Sequence, residues 1–130
     1  MSEIPLKTAT ELQLVPPNTV VEADGEGAAF ELDPAGPRIF VCQLNIREVI
    51  EQESLGVSLW GSSDGADWDS QPILKLPQRF YTGNTPMVFD LRERPEVKFV
   101  RARWEVNRWG RGRPLAWFKF DLRLEPAQRD

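Results

Sequence analysis

Three aspartates in one short segment are the carboxylates whose spacing best fits metal binding. Asp64, Asp67 and Asp69 lie beside Gly65 in the segment Ser62-Ser-Asp-Gly-Ala-Asp-Trp-Asp69. Ca²⁺ takes six to eight oxygen ligands and tolerates irregular loops, so a tight acidic loop is a candidate site. The spacing does not match the EF-hand pattern, and an Asp-Gly turn with solvated neighbours explains the same residues. Calcium binding and a plain turn therefore both stay open as interpretations.

A segment rich in arginine and tryptophan is the strongest candidate for ligand binding. Residues 101–119 hold six basic residues and one acidic residue, interleaved with three tryptophans. Arginine beside an exposed aromatic ring can stack on a sugar or a base and can pair with phosphate or carboxylate. The candidate binding residues are Trp109, Arg111, Arg113, Arg108, Arg101, Arg103 and, from an earlier strand, Trp60.

The same residues have a purely structural interpretation. Residues 107–114 can be the solvated tip of a hairpin, where charges serve solubility. Arg101 and Arg103 fall on the polar face of a strand and can pair with acids on neighbouring strands. Trp104 falls on the apolar face of that strand, so we expect it in the core.

The residues that are missing exclude several enzyme classes. The chain has no histidine, which removes Ser-His-Asp and Cys-His catalysis and every histidine-based metal site. Its single cysteine, Cys42, excludes an intrachain disulfide and a zinc ribbon, and its apolar strand pattern predicts a core position. Neither a Walker nor a Rossmann glycine fingerprint is present. We expect no cofactor and no catalysis; an enzyme would have to be a hydrolase that uses carboxylates alone.

The elements that position these residues are predicted to be strands. Five Trp and seven Phe can nucleate a core, while eleven Pro and nine Gly in 130 residues favour short elements joined by turns. Eight or nine alternating apolar runs at roughly even spacing are typical of an all-β, antiparallel sandwich of jelly-roll type. We expect one domain over 1–130, with residues 1–10 as a loosely held N-terminal segment.

Turn residues set the predicted boundaries of these strands. Pro16-Pro17 should end the first strand and so separate it from a second strand over 19–23. Residues 80–84 should hold a strand end and a turn. Residues 97–107 and 115–124 alternate most regularly, and we expect them to pair as one long hairpin.

One pair of motifs resembles a known family. Ser62, Asp64, Gly65 and Trp68 form a Ser-x-Asp-Gly-x-x-Trp turn, and Lys98-Phe-Val-Arg-Ala-Arg103 follows about thirty residues later. This combination resembles the discoidin-type, galactose-binding-like β-sandwich, and it is similar to small phage structural proteins. The resemblance spans residues 55–104 and implies a fold in which the Asp-Gly turn and Trp68 are structural parts.

Charge and targeting signals suggest the cellular context. Residues 1–56 hold ten acids and three bases, whereas residues 57–130 hold ten acids and thirteen bases. The net charge of −4 argues against nucleic acid as a partner. No signal peptide or membrane span is evident in the sequence. We therefore expect a soluble, cytoplasmic protein or one built into a cytoplasmic assembly.

We expect a non-enzymatic binding or structural module with a protein partner, self-association included, as in a phage-like or other multi-protein assembly. The alternative of a different class is a carbohydrate-binding module that uses exposed Trp109, Trp60 or Tyr81 together with arginine. Size-exclusion chromatography with light scattering and binding to immobilised glycans separate these two functions.

Overall fold

The fold is an all-β sandwich of two antiparallel sheets, seen in a computed structural model that describes residues 11–110 and 116–127. The described residues contain no helix long and apolar enough to cross a membrane. Nine strands are found in this part of the chain. They are β1 (Leu12–Val21), β2 (Gly25–Glu26), β3 (Phe30–Glu31), β4 (Ile39–Val49), β5 (Glu53–Ser62), β6 (Leu74–Lys75), β7 (Gly83–Asp90), β8 (Phe99–Arg108) and β9 (Phe118–Pro126).

The order of the strands is that of a jelly roll. The first sheet runs β1-β9-β4-β7 and the second runs β2-β8-β5-β6, with the short β3 also paired to β8. Apart from β3, the chain therefore crosses between the sheets at each step except from β5 to β6, in the nested order expected of two interlocked Greek keys. The predicted antiparallel sandwich is confirmed.

The core lies between the two sheets and follows from strict alternation along the long strands. On β4, Phe40, Cys42, Leu44 and Ile46 are buried, while the residues between them are half-buried on the outer face. Strand β9 contributes the buried side chains of Phe118, Phe120, Leu122 and Leu124. Because successive side chains point to opposite faces of a strand, this pattern fixes which residues face the second sheet.

The first strand continues past the two prolines that were predicted to end it. Strand β1 pairs with β9 from Leu12 to Val21, with a break in register between Val15 and Thr19. Asn18 has a positive φ of 65°, and the Thr19 hydroxyl donates to the Pro16 carbonyl at 2.6 Å. The prolines fit because β1 is an edge strand with a bulge, where ladder amides are not required.

The two most regular strands do not form the predicted hairpin. Strand β8 lies in the second sheet between β2 and β5, whereas β9 lies in the first sheet between β1 and β4. Each is an inner strand, but the chain between them crosses from one sheet to the other. The strand end and turn predicted over residues 80–84 are wrong in part: the chain bends at Tyr81 and Thr82, but Gly83 and Asn84 already belong to β7.

Candidate functional site

The residues singled out by the sequence fall at two places on the sandwich. Arg101, Arg103 and Trp60 lie on the outer face of the second sheet, next to the Asp64 turn. Trp109 lies at one end of the sandwich, where β8 ends. Arg111 and Arg113 lie outside the described residues, as does the predicted N-terminal segment over 1–10.

The Asp-Gly turn is organised around an Asp64 carboxylate oxygen and the Ser62 hydroxyl oxygen. The Asp64 carboxylate accepts hydrogen bonds from the amides of Ala66 and Asp67, both at 2.9 Å. These bonds, together with one from the Ser62 hydroxyl, hold the pKa of Asp64 below its ordinary value. Gly65 has a φ of 81°, which glycine adopts without strain, and a side chain there would press on the Phe99 ring. The carboxylate thus has a structural task in the turn.

The three aspartates of this segment are not gathered around a common point. Asp69 forms an ion pair with Arg94, with 2.9 Å between carboxylate and guanidinium, while Asp64 is held by the turn. In the part of the chain that the structure describes, no three His, Cys, Asp or Glu residues are placed to hold a metal ion. The geometry therefore gives the calcium hypothesis no ligand set.

Two arginine–tryptophan stacks cover the outer face of the second sheet. The Arg101 guanidinium carbon lies 4.2 Å from the centroid of the Trp68 ring, and that of Arg103 lies 4.7 Å from Trp60. Glu26 on β2 contacts both guanidinium groups, at 3.3 Å and 3.7 Å. The predicted pairing of these arginines with an acid on a neighbouring strand is confirmed, and each guanidinium also stacks on an indole.

Three exposed aromatic rings meet at one end of the sandwich, and we name Phe80, Tyr81 and Trp109 the aromatic cluster. Their exposed fractions are 41%, 79% and 56%. Phe80 lies at the centre, with ring centroids 6.4 Å from Tyr81 and 6.1 Å from Trp109. A cavity of about 450 Å³ opens beside the rings and is also lined by residues 49–53. The rings therefore form a contiguous apolar surface rather than isolated exposed side chains.

The backbone beneath the aromatic cluster is fixed by the tight turn between β4 and β5. Gln52 has a φ of 62°, and its carbonyl accepts the amide of Trp109 at 3.0 Å. The buried carboxylate of Glu53 accepts the amides of Ile50 and Trp117, at 2.9 Å and 2.8 Å. These bonds set the position of Trp109 on a rigid support, which favours binding because little conformational freedom is lost on contact.

Two buried side chains of reactive types, a carboxylate and a thiol, have structural roles. Asp121 accepts hydrogen bonds from Asn45 at 2.9 Å and Arg47 at 3.0 Å on the outer face of the first sheet. Burial raises the pKa of the Cys42 thiol to about 12, so the thiolate needed of a nucleophile is scarce at neutral pH. The predicted core position of Cys42 is confirmed.

Sequence reasoning selected Trp109 and Tyr81 but missed Phe80, the ring that joins them. Residues 79–82, Arg-Phe-Tyr-Thr, lie between β6 and β7, and the two large aromatics among them have no alternating apolar partners. Adjacent aromatics cannot both face the core from one extended segment. That local signal was present in the sequence, although the contact with Trp109 was not.

No protein-family model, no curated protein and no solved structure matches this chain. The geometry of the described residues is therefore the basis of the functional argument.

Proposed function

We propose that the protein is a non-enzymatic binding module of a multi-protein assembly and that it contacts a protein partner through the aromatic cluster. The observation that carries this proposal is the exposure of three touching rings, with Tyr81 at 79% and Trp109 at 56%. Exposed apolar surface that is contiguous costs solubility and marks interaction sites. Tyrosine and tryptophan are also the residues most enriched at the energetic centres of protein interfaces.

The surroundings of the cluster suit a protein interface. Glu51 and Gln52 place polar side chains at its rim, in the arrangement of an apolar centre with a polar border. Strand addition is a less favoured mode of assembly, since both edge strands of the first sheet contain proline: Pro16 and Pro17 in β1, and Pro86 in β7. A side-chain surface at the end of the sandwich avoids that restriction.

The test removes the most exposed ring first. Tyr81→Ala should leave the melting temperature nearly unchanged, because a side chain 79% exposed contributes little to folding. Sedimentation velocity over a concentration series measures association between copies. Affinity purification of the tagged protein from its native cells measures association with other proteins. We expect a stoichiometric complex in one of these experiments, and its loss in Tyr81→Ala and Trp109→Ala.

Val88→Thr is the matched control, because Val88 is an exposed apolar residue, at 62%, on β7 away from the cluster. It keeps the β-branched shape while it reduces exposed apolar surface. A complex that survives Val88→Thr and is lost with Tyr81→Ala supports the proposal. A strict monomer without a stoichiometric partner contradicts it, as does a complex that both cluster variants retain.

A further inference from the structure

A polar groove crosses the outer face of the second sheet, away from the aromatic cluster. Two cavities of about 430 and 420 Å³ lie side by side on this face, and Asp24 and Glu105 line both. Along β5 the lining extends from Ser54 to Trp60, a distance of about 20 Å for an extended strand. We name this surface the outer groove.

The floor of the outer groove lies close to the β5 backbone because small residues stand there. Gly56 and Ser58 are the outward-facing residues between Ser54 and Trp60. A Cβ atom added to Gly56 would meet nothing nearer than the Glu105 carbonyl oxygen, at 4.0 Å. The space above this residue is therefore open, and no backbone strain explains the glycine.

The two ends of the outer groove are closed by ordered side chains. Gln78 donates to the Ser54 hydroxyl at 2.7 Å and so covers one end. At the other end, the Trp60 indole donates to the Ser58 hydroxyl at 2.8 Å and carries the stacked Arg103 guanidinium. Because Ser58 accepts that bond, its own hydroxyl proton can be donated into the groove.

The walls offer hydrogen-bonding groups that the fold does not use. Lys75, Glu105 and Asn107 are exposed, and within residues 11–110 and 116–127 their side chains make no hydrogen bond or ion pair. Glu105 lies beside Gly56 in the strand register, and Lys75 lies beside Ser58. A cationic donor, an anionic acceptor and an amide thus surround one open depression.

This combination selects for a ligand that is polar, uncharged and able both to donate and to accept. The charged residues that line the groove are three acids and two bases, Asp24, Glu26, Glu105, Lys75 and Arg103. Their balance disfavours phosphate and other polyanions, whereas carboxylate, ammonium and amide groups together match vicinal hydroxyl groups. The Trp60 ring carries Arg103 on its face, and its positive edge at one end of the groove can lie against the hydroxyl oxygens of a sugar ring.

We propose that the outer groove binds a neutral oligosaccharide, seated over Gly56 with one sugar ring against Trp60. This site is independent of the aromatic cluster, so the protein would join a glycan on the sheet face to a protein partner at the end of the sandwich. Glu105 and Lys75 hydrogen-bond the hydroxyl groups of the central sugars in this arrangement.

The test fills the groove without disturbing the fold. A residue larger than glycine in a strand interior usually stabilises it, so Gly56→Val should keep or raise the melting temperature. Cellohexaose, maltohexaose, xylohexaose and mannohexaose are titrated by isothermal calorimetry. We expect at least one to bind the wild type, and Gly56→Val to lower its affinity by about tenfold or more.

Three controls make the result specific. Gly56→Ala adds one methyl group in open space and should bind more tightly than Gly56→Val. Glu105→Gln should weaken binding and leave stability unchanged, and an oligogalacturonide, which is polyanionic, should not bind. Tyr81→Ala should bind the glycan as the wild type does, which separates this site from the proposed protein contact.

Two results would overturn the proposal. One is the absence of binding to all four neutral hexasaccharides in a folded wild-type protein. The other is a glycan that binds Gly56→Val as tightly as the wild type, and its loss with Tyr81→Ala or Trp109→Ala would place it at the aromatic cluster.

Discussion

The Glu53 carboxylate accepts a hydrogen bond from the backbone amide of Trp117 at 2.8 Å, and this bond joins the second sheet to the segment that enters the first. Glu53 begins β5, and Trp117 directly precedes β9. The other carboxylate oxygen accepts the amide of Ile50, in the turn that supports Trp109. One buried side chain on β5 of the second sheet therefore satisfies amides beside the ends of two first-sheet strands, β4 and β9.

Replacing Glu53 with alanine should destabilise the protein through those two amides. Buried donors that lose their acceptor cost about 1–3 kcal/mol each, so we expect the free energy of unfolding to fall by at least about 2 kcal/mol. Urea denaturation measures this change. Glu51→Ala is the control, because Glu51 is exposed and accepts the Arg108 side chain through its backbone carbonyl; it should change stability by less than about 0.5 kcal/mol. Equal losses in the two variants would contradict the role of Glu53.

Strand positions were predictable from the sequence because burial imposes a period of two. Phe40, Cys42 and Leu44 on β4 alternate with half-buried neighbours, and local reading of that pattern is sufficient. The partner of each strand was not predictable in the same way. Consecutive strands usually lie side by side, which favoured a hairpin of β8 and β9, but the jelly-roll order places them in opposite sheets.

The candidate sites were predictable to different degrees. Arg101 and Arg103 were correctly expected to pair with an acid, yet Glu26 is more than seventy residues away in the chain, so its identity depends on the fold. In the β5–β8 register Ser58 lies opposite Arg103, so Trp60, two residues further along the same face of β5, is the diagonal neighbour on which Arg103 stacks. No local pattern encodes that register. The outer groove also depends on four strands at once, β2, β5, β6 and β8, and the sequence signal at Gly56 is a single glycine.

Asp64 should contribute to stability only when it is ionised. Its pKa in the folded protein lies below the ordinary value of 3.8, since the amides of Asp67 and Ala66 favour the carboxylate. The contribution is therefore fully present above the unfolded pKa and is lost as the pH falls through the folded pKa. Denaturation of Asp64→Asn and the wild type across this range should show a stability difference that shrinks on acidification.

Asp67→Asn serves as the control for that titration, because the hydrogen bonds at Asp67 within the described residues involve its backbone. Its stability should follow the pH dependence of the wild type. A constant difference between Asp64→Asn and the wild type at all pH values would contradict the ionisation argument.

The Arg101–Trp68 stack should appear as a coupling energy. A double-mutant cycle with Arg101→Met and Trp68→Leu should give about 0.5–1 kcal/mol, the range for a partly solvated cation–π contact. Thermal or urea denaturation of the four proteins measures it. Arg103 with Trp68 provides the control cycle, because Arg103 stacks on Trp60 instead, and those changes should be additive. Equal coupling in both cycles would show a general effect of charge rather than stacking.

Pro86 should protect the edge of the first sheet against pairing with another chain. It lies in the middle of β7, which pairs with β4 on one side and is the last strand of its sheet. Proline lacks the amide proton that a new strand would need, and the adjacent edge also carries Val88, which is 62% exposed. Pro86→Thr restores the donor in a residue that favours strands, so we expect concentration-dependent association in sedimentation velocity.

Adding Tyr81→Ala to Pro86→Thr should not abolish this association, because it proceeds through the strand edge and not through the aromatic cluster. Pro77→Thr, outside the edge strands, should sediment as the wild type does, and the same behaviour from Pro86→Thr would mean that the proline does not guard the edge.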